Sequence, residues 1–193
     1  VSPMAVGELG VAVDKLAVQG LKIFSGQSQN ETIESLEVEM RSISNFDPWS
    51  DLRPVNGSPL SGLSLYLDDG DASPDEWDPE DDTHMVPSAI EIFNGTGVWT
   101  VRFEFNITGQ NSYRVPVSSL GDYDMFVCTR TSADISHGDT FYTSIPAWGL
   151  TYRGQDGTSR SVLAQSNRSR DIRADTRAPD IGNASLKIYT NPT

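Results

Sequence analysis

The chain has 193 residues, 37% of them hydrophobic, and carries 14 Lys and Arg against 27 Asp and Glu, for a formal charge of −13. That length supports one sizeable core, or a core plus a tail. The acidic balance excludes sequence-independent nucleic-acid binding, which needs a basic face to displace counterions from phosphate, and disfavours docking on anionic lipid.

Val1-Ser2-Pro3 begins without an initiator Met, a basic region or an apolar signal core, and reads as a mature or excised end. No run of eighteen apolar residues follows that would insert in a membrane. The dominant period along the chain is two. An apolar stretch over 6–18 contains the alternating Val11-Ala12-Val13. Leu36, Val38 and Met40 alternate with Glu37, Glu39 and Arg41, which predicts a strand over 31–41 in preference to a short helix. Leu63-Ser64-Leu65-Tyr66-Leu67 reads the same way, as does 89–93. Trp99, Val101, Phe103 and Phe105 alternate with Thr100, Arg102, Glu104 and Asn106, as a half-buried strand should. Further strands are predicted at 113–117, 123–128, 140–145, 149–152, 162–164 and 186–189. Gly, Pro, Asn and Asp punctuate these runs, and no window sustains the spacing of three and four that a helix needs. The pattern predicts an all-β, antiparallel β-sandwich over 1–170. Residues 171–193 form a polar, Pro-containing linker and one terminal strand. That strand closes the same sandwich, opens a next module, or inserts into a neighbouring copy.

Cys128 is the single cysteine, so no internal disulfide forms. Alternation places Phe126 and Cys128 on one face of their strand and Tyr123, Met125 and Val127 on the other, and a buried, inert thiol is the expectation. Leu120-Gly121-Asp122-Tyr123 before this strand fits the tyrosine corner of a Greek-key sandwich. Glu91 and Glu104 are the only acid/base pair that suggests itself, and strand faces carry Glu routinely. His84 and His137 lie among Asp and Thr with no nucleophile elbow, and no Gly-rich phosphate loop precedes a helix. The chain therefore reads as non-enzymatic.

The strongest local signal is the stretch 68–82, in which nine of fifteen residues are acidic. Like charges about 4 Å apart repel by on the order of 1 kcal/mol even in water. Calcium relieves that repulsion by taking six to eight oxygens in flexible geometry. Asp69, Asp71, Ser73, Asp75 and Glu80 fall at EF-hand-like spacings, but Pro74 stands where that loop needs Gly, and no helices flank it. The expectation is a calcium loop of other geometry with Asp69, Asp71, Asp75, Asp78 and Asp82 as ligands. The alternative is a solvated acidic hairpin.

Leu65-Tyr66-Leu67-Asp68-Asp69-Gly70-Asp71, with the later Trp77-Asp78-Pro79-Glu80-Asp81-Asp82, resembles a hairpin recurring in immunoglobulin-like β-sandwich modules of large prokaryotic cell-surface, S-layer and adhesin proteins. Gly121-Asp122-Tyr123-Asp124-Met125-Phe126-Val127, Arg130-Thr131-Ser132 and His137-Gly138-Asp139-Thr140-Phe141 are similar to the strands that end such modules. Asp175-Thr176-Arg177-Ala178-Pro179 resembles the linker before a further repeat. The Asn-Gly usual before the aromatic is replaced here by Ser73-Pro74-Asp75-Glu76. The resemblance implies an extracellular structural or adhesive role, multimodular and calcium-stiffened, with no catalytic residues.

Sequons at Asn30, Asn94, Asn106, Asn167 and Asn183 are candidate glycosylation sites, and a sixth at Asn56 is weakened by Pro59. The expected partners are copies of the chain or adjacent modules, with glycans as a further possibility. The competing expectation is a carbohydrate-binding module presenting Trp49 and Trp148, both in predicted loops, with Tyr66 and Trp99 as further flat platforms. Those rings otherwise plug the ends of the sandwich.

Overall fold

A computed structural model describes residues 16–23, 31–53, 62–68, 82–109, 112–113, 123–154, 156–162, 167–168 and 172–173. Among them are twelve strands and one four-residue helix. The strands are β1 (Leu16–Ile23), β2 (Thr32–Ser44), β3 (Leu63–Leu67), β4 (Thr83–His84), β5 (Ala89–Gly95), β6 (Val98–Glu104), β7 (Tyr123–Thr129), β8 (Thr140–Ile145), β9 (Leu150–Arg153), β10 (Ser159–Val162), β11 (Asn167–Arg168) and β12 (Ile172–Arg173). The fold is all-β and built of two antiparallel sheets, as the period of two predicts. No helix among the described residues is long and apolar enough to cross a membrane.

The smaller sheet has the order β1-β7-β3-β4. The larger is organised on β2, thirteen residues long, with β6 and then β5 on one side. On its other side β2 pairs with two strands in succession: β8 against its C-terminal half and β9 against its N-terminal half. β10 pairs with β9, while β11 and β12 pair with β8. Ile172 and Arg173, read in the sequence as linker, lie opposite Phe141 and Thr140 of the large sheet.

The core lies between the sheets because each inner face is apolar at alternate positions. Leu36, Val38 and Met40 of β2, Val101 and Phe103 of β6, and Phe141 and Ile145 of β8 form one buried cluster with Val18, Leu21, Leu63, Leu65, Met125 and Val127 of the small sheet. Leu36 faces Phe103 and Val38 faces Val101 in register, so each pair shields the other. Full burial of one such side chain contributes about 1.5–3 kcal/mol. Gln19 and Thr143 join the sheets through a buried 2.9 Å hydrogen bond, satisfying two polar groups that would otherwise oppose burial.

The small sheet is buried on both faces. Ala17, Tyr66, Phe126 and Cys128 form a second cluster on the side away from the main core. Cys128 is buried, outside any disulfide, and shares that face with Phe126, as the alternation predicts. One end of the sandwich is closed between β2 and β3. There Phe46 stacks on Phe141, with centroids 4.0 Å apart, and meets Trp99 edge-on at 6.5 Å. Helix α1 (Pro48–Asp51) follows, started by Pro48 in its first turn and capped by Asp47, whose carboxylate accepts from the Trp49 amide at 3.1 Å. The predicted strands at 11–13 and 186–189, and most of those at 113–117 and 162–164, lie outside the described residues.

Candidate functional site

The predicted calcium loop is the connection between β3 and β4. Leu67 faces Thr83 in register, which brings Asp68 and Asp82 to the base of that connection. Asp82 is buried. Asp69, Asp71, Asp75 and Asp78 lie outside the described residues. Among the described residues no group of three or more His, Cys, Asp or Glu is placed to hold a metal. His84, one step further along β4, packs its ring 5.0 Å from that of Tyr66. Burial pushes the Tyr66 phenol above its ordinary range, reinforced by Cys128 and opposed by a hydrogen bond with Ser64 and by Arg130. A buried tyrosine of this kind is no exposed platform.

Of the sequons, Asn106 is exposed just beyond β6, while Asn94 and Asn167 lie in β5 and β11. Asn30, Asn56 and Asn183 fall outside the described residues, as does the Tyr123 side chain with its predicted corner. Glu91 and Glu104 stand on adjacent strands of the large sheet, where Glu91 faces Arg102 and Glu104 faces Ala89.

The outer face of the large sheet carries the polar half of the β2 and β6 alternations. Glu37 faces Arg102, which faces Glu91, making one row across β2, β6 and β5. Arg102 lies 3.8 Å from Glu37 and 3.4 Å from Glu104. Arg41 binds Glu39 at 2.8 Å, and that bond raises the Arg41 guanidinium above its usual value. Arg153 of β9 reaches Glu34 of β2 at 2.8 Å. Each half-exposed pair contributes only about 0.2–1 kcal/mol, so the ladder sets polarity and order more than stability. Four carboxylates (Glu37, Glu39, Glu91, Glu104) against two guanidinium groups (Arg41, Arg102) leave this part of the face acidic.

The sequence places Trp148 in a loop, and the structure places that loop inside the large sheet. Glu39 pairs with Ser144 and Leu36 with Leu150, so two residues of β2, Glu37 and Val38, lie opposite the five residues 145–149. The excess is absorbed by a tight turn in which the Gly149 amide donates to the Pro146 carbonyl at 2.9 Å. Trp148 sits at its third position with φ of 67°, while Ala147 keeps a negative φ, which is type II geometry. That position suits Gly or Asn, and any residue with a Cβ is strained there by about 1–2 kcal/mol. Gly149 is equally constrained, because a Cβ on it would lie 2.9 Å from the ring and the carbonyl of Pro146. The Glu37 amide donates to the Gly149 carbonyl at 2.7 Å and ties the turn to the central strand. Trp148 is 58% exposed.

Trp49, 41% exposed on α1, is not brought to Trp148. Seven residue steps of β2, roughly 23 Å at the usual strand rise, separate Glu37 from Ser44 before the helix begins. Trp99 is partly buried against the core, where it meets Phe46 edge-on. Sequence reasoning missed Phe93, which is 51% exposed on the outer face of edge strand β5. The signal was the phase of its neighbours: Ile90 packs against the core, so Glu91 and Phe93, one and three residues on, both take the opposite, outward face.

No protein-family model matches the chain. No curated protein matches it. One similar solved structure is described as manganese lipoxygenase of Gaeumannomyces graminis with a partial structure of zonadhesin of Komagataella pastoris. It shares 13% identity at a TM-score of 0.28, over 83% of this chain and 50% of that one. The chain thus spans half the length of that structure, and a likeness so low carries no argument.

Proposed function

We propose that this chain is a non-catalytic, extracellular, immunoglobulin-like module or subunit of a prokaryotic surface assembly, such as an S-layer, sheath, fibre or adhesin. It joins copies of itself or adjacent modules and is stiffened by calcium at its acidic connection. The observation that carries the reading is the edge strand β5. Among the described residues it pairs only with β6, and Ala89, Glu91, Phe93 and Gly95 are all exposed. An edge of seven residues with one charge, no Lys and no Pro lacks the features that blunt strand pairing, and so offers its free amides and carbonyls to a strand of another copy. For calcium, the support is the antiparallel β3–β4 pair that draws the two ends of the acidic stretch together.

The test is a calcium titration of EDTA-treated protein, following melting temperature and particle size together. Both rise with calcium, and changing Asp69 and Asp71 to Asn removes the rise. Ala89→Lys, on the edge, lowers particle size without lowering the melting temperature. A chain that stays monomeric at every concentration, with and without calcium, rejects self-association, and an unchanged melting temperature rejects the metal.

A second reading, a carbohydrate-binding module, is favoured by the exposure of Trp148 in a rigid turn.

A further inference from the structure

We infer that the outer face of the large sheet, centred on Trp148 and the row Glu37–Arg102–Glu91, is a binding platform for a neutral oligosaccharide. The inference gives the carbohydrate-binding reading a site and a ligand class, and it is independent of self-association through β5. Strain in a backbone outlier persists only where the surroundings fix it, and such outliers concentrate at functional positions. Here a bulky aromatic occupies a left-handed position that Gly would fill without strain. It gains little burial in return, since Trp148 is more than half exposed. Two hydrogen bonds, Gly149 to Pro146 and Glu37 to Gly149, hold the turn still, so the ring is presented at low conformational cost to a ligand.

The neighbouring groups select the ligand. A flat indole face stacks on the C–H face of a pyranose, while hydroxyls at the sugar's rim need both acceptors and donors. Glu37 and Glu91 supply acceptors, and Arg102 between them supplies donors, all half-exposed or exposed in one row that starts beside the turn. Phe93, two residues beyond Glu91 on β5 and so on the same face, is a second exposed ring. Three strand spacings separate β5 from the turn, roughly 14 Å, which suits an oligosaccharide better than a single sugar. The excess of carboxylates repels an anionic glycan. A protein partner is disfavoured because the apolar groups here are single rings parted by charged rows, whereas protein interfaces are centred on a contiguous apolar patch.

Isothermal titration and tryptophan fluorescence with cellohexaose, chitohexaose, laminarihexaose and mannohexaose test the platform on the full chain, with particle size recorded in the same samples. The expected result is saturable binding of at least one of these, weakened about tenfold or more in both Trp148→Ala and Trp148→Gly and unchanged in Trp49→Ala. Trp148→Gly keeps the test decisive, because Gly accommodates the positive φ and the fold survives. Absence of binding to all four sugars, or equal binding by the Trp148 variants, overturns the proposal. So does a change confined to particle size, which makes Trp148 a protein contact. A monomer that binds a sugar through Trp148 rejects self-association and leaves the platform standing.

Discussion

Position 148 allows the strain argument to be measured apart from any ligand. Replacing Trp148 by Ala removes the indole and keeps the Cβ, while replacing it by Gly removes both. The packing lost with the ring cancels between the two variants, and what remains is the left-handed backbone. A Cβ there costs about 1–2 kcal/mol, and the greater freedom of Gly in the unfolded chain returns about 0.5–1 kcal/mol of that. Trp148→Gly is therefore expected to be more stable than Trp148→Ala by about 1 kcal/mol, or roughly 2–4 °C in melting temperature for a chain of this size. The adjacent Ala147 is exposed and has no positive φ, so Ala147→Gly is expected to lose about 0.5–1 kcal/mol. Urea unfolding of the three variants and the parent gives the comparison directly. If Ala is as stable as Gly at 148, or if 147 and 148 respond alike, the turn does not hold a positive φ at Trp148, and the reasoning from strain to platform fails.

Asp51 is 4% exposed, and burial lifts its carboxyl above the ordinary value of 3.8, against the hydrogen bonds from the Asp47 amide and the Ser50 hydroxyl. Because the folded state favours the proton, this contribution is fully present below pH 3.8 and is lost as pH rises through the raised value. Asp51→Asn should gain stability relative to the parent across that window and hold a constant lead above it; a constant difference from pH 3 to 8 would falsify the assignment. Phe103, fully buried between Leu36 and Ile90 in register, should cost about 3–5 kcal/mol when truncated to Ala, read as a large fall in the urea midpoint, and a loss under 1 kcal/mol would contradict its place in the core. The Cys128 thiol should stay silent toward a disulfide reagent until the chain unfolds, with labelling that tracks urea unfolding; prompt reaction in buffer would place it at the surface.

β2, β6 and β8 are legible in the sequence because one face lies in the core and one in solvent, while β3 and β7, buried on both faces, are legible as short apolar runs between turn signals. Leu36, Val38 and Met40 against Glu37, Glu39 and Arg41 mark β2, and the β6 and β8 patterns carry the same contrast. β1 was missed because it lacks that contrast: Ala17, Val18, Gln19 and Leu21 are all buried, and a register shift between Ala17 and Gln19 breaks the phase. At β2 the reading over 31–41 stopped short of the C-terminal end, because Ile43 and Ser44 are both exposed and the alternation ends there. β10 fails from the opposite side, since Ser159–Val162 is exposed throughout and owes its extended form to pairing with β9 rather than to its own pattern. Helix α1 is too short for any periodicity, although Asp47-Pro48 carries both the cap and the first-turn proline.

The candidate site shows why local signals stop short of function. Two apolar runs flanking Pro146-Ala147-Trp148-Gly149 carry the signature of a turn, and a turn between two strands ordinarily means a hairpin in which the strands pair with each other. Here they do not, because β2 is long enough to accept β8 and β9 one after the other along the same side. The turn becomes a bulge inside a sheet, and its third residue is exposed alongside the central strand rather than at the tip of a hairpin. Nothing within 146–149 encodes that outcome. It follows from the length of a strand a hundred residues earlier in the chain, and from the hydrogen bond by which Glu37 holds Gly149. The same long-range pairing brings Glu37, Arg102 and Glu91, from three separated segments, into one row that begins beside the turn. Aromatic identity was legible from the sequence; its neighbours, and hence the chemistry available to it, required the register.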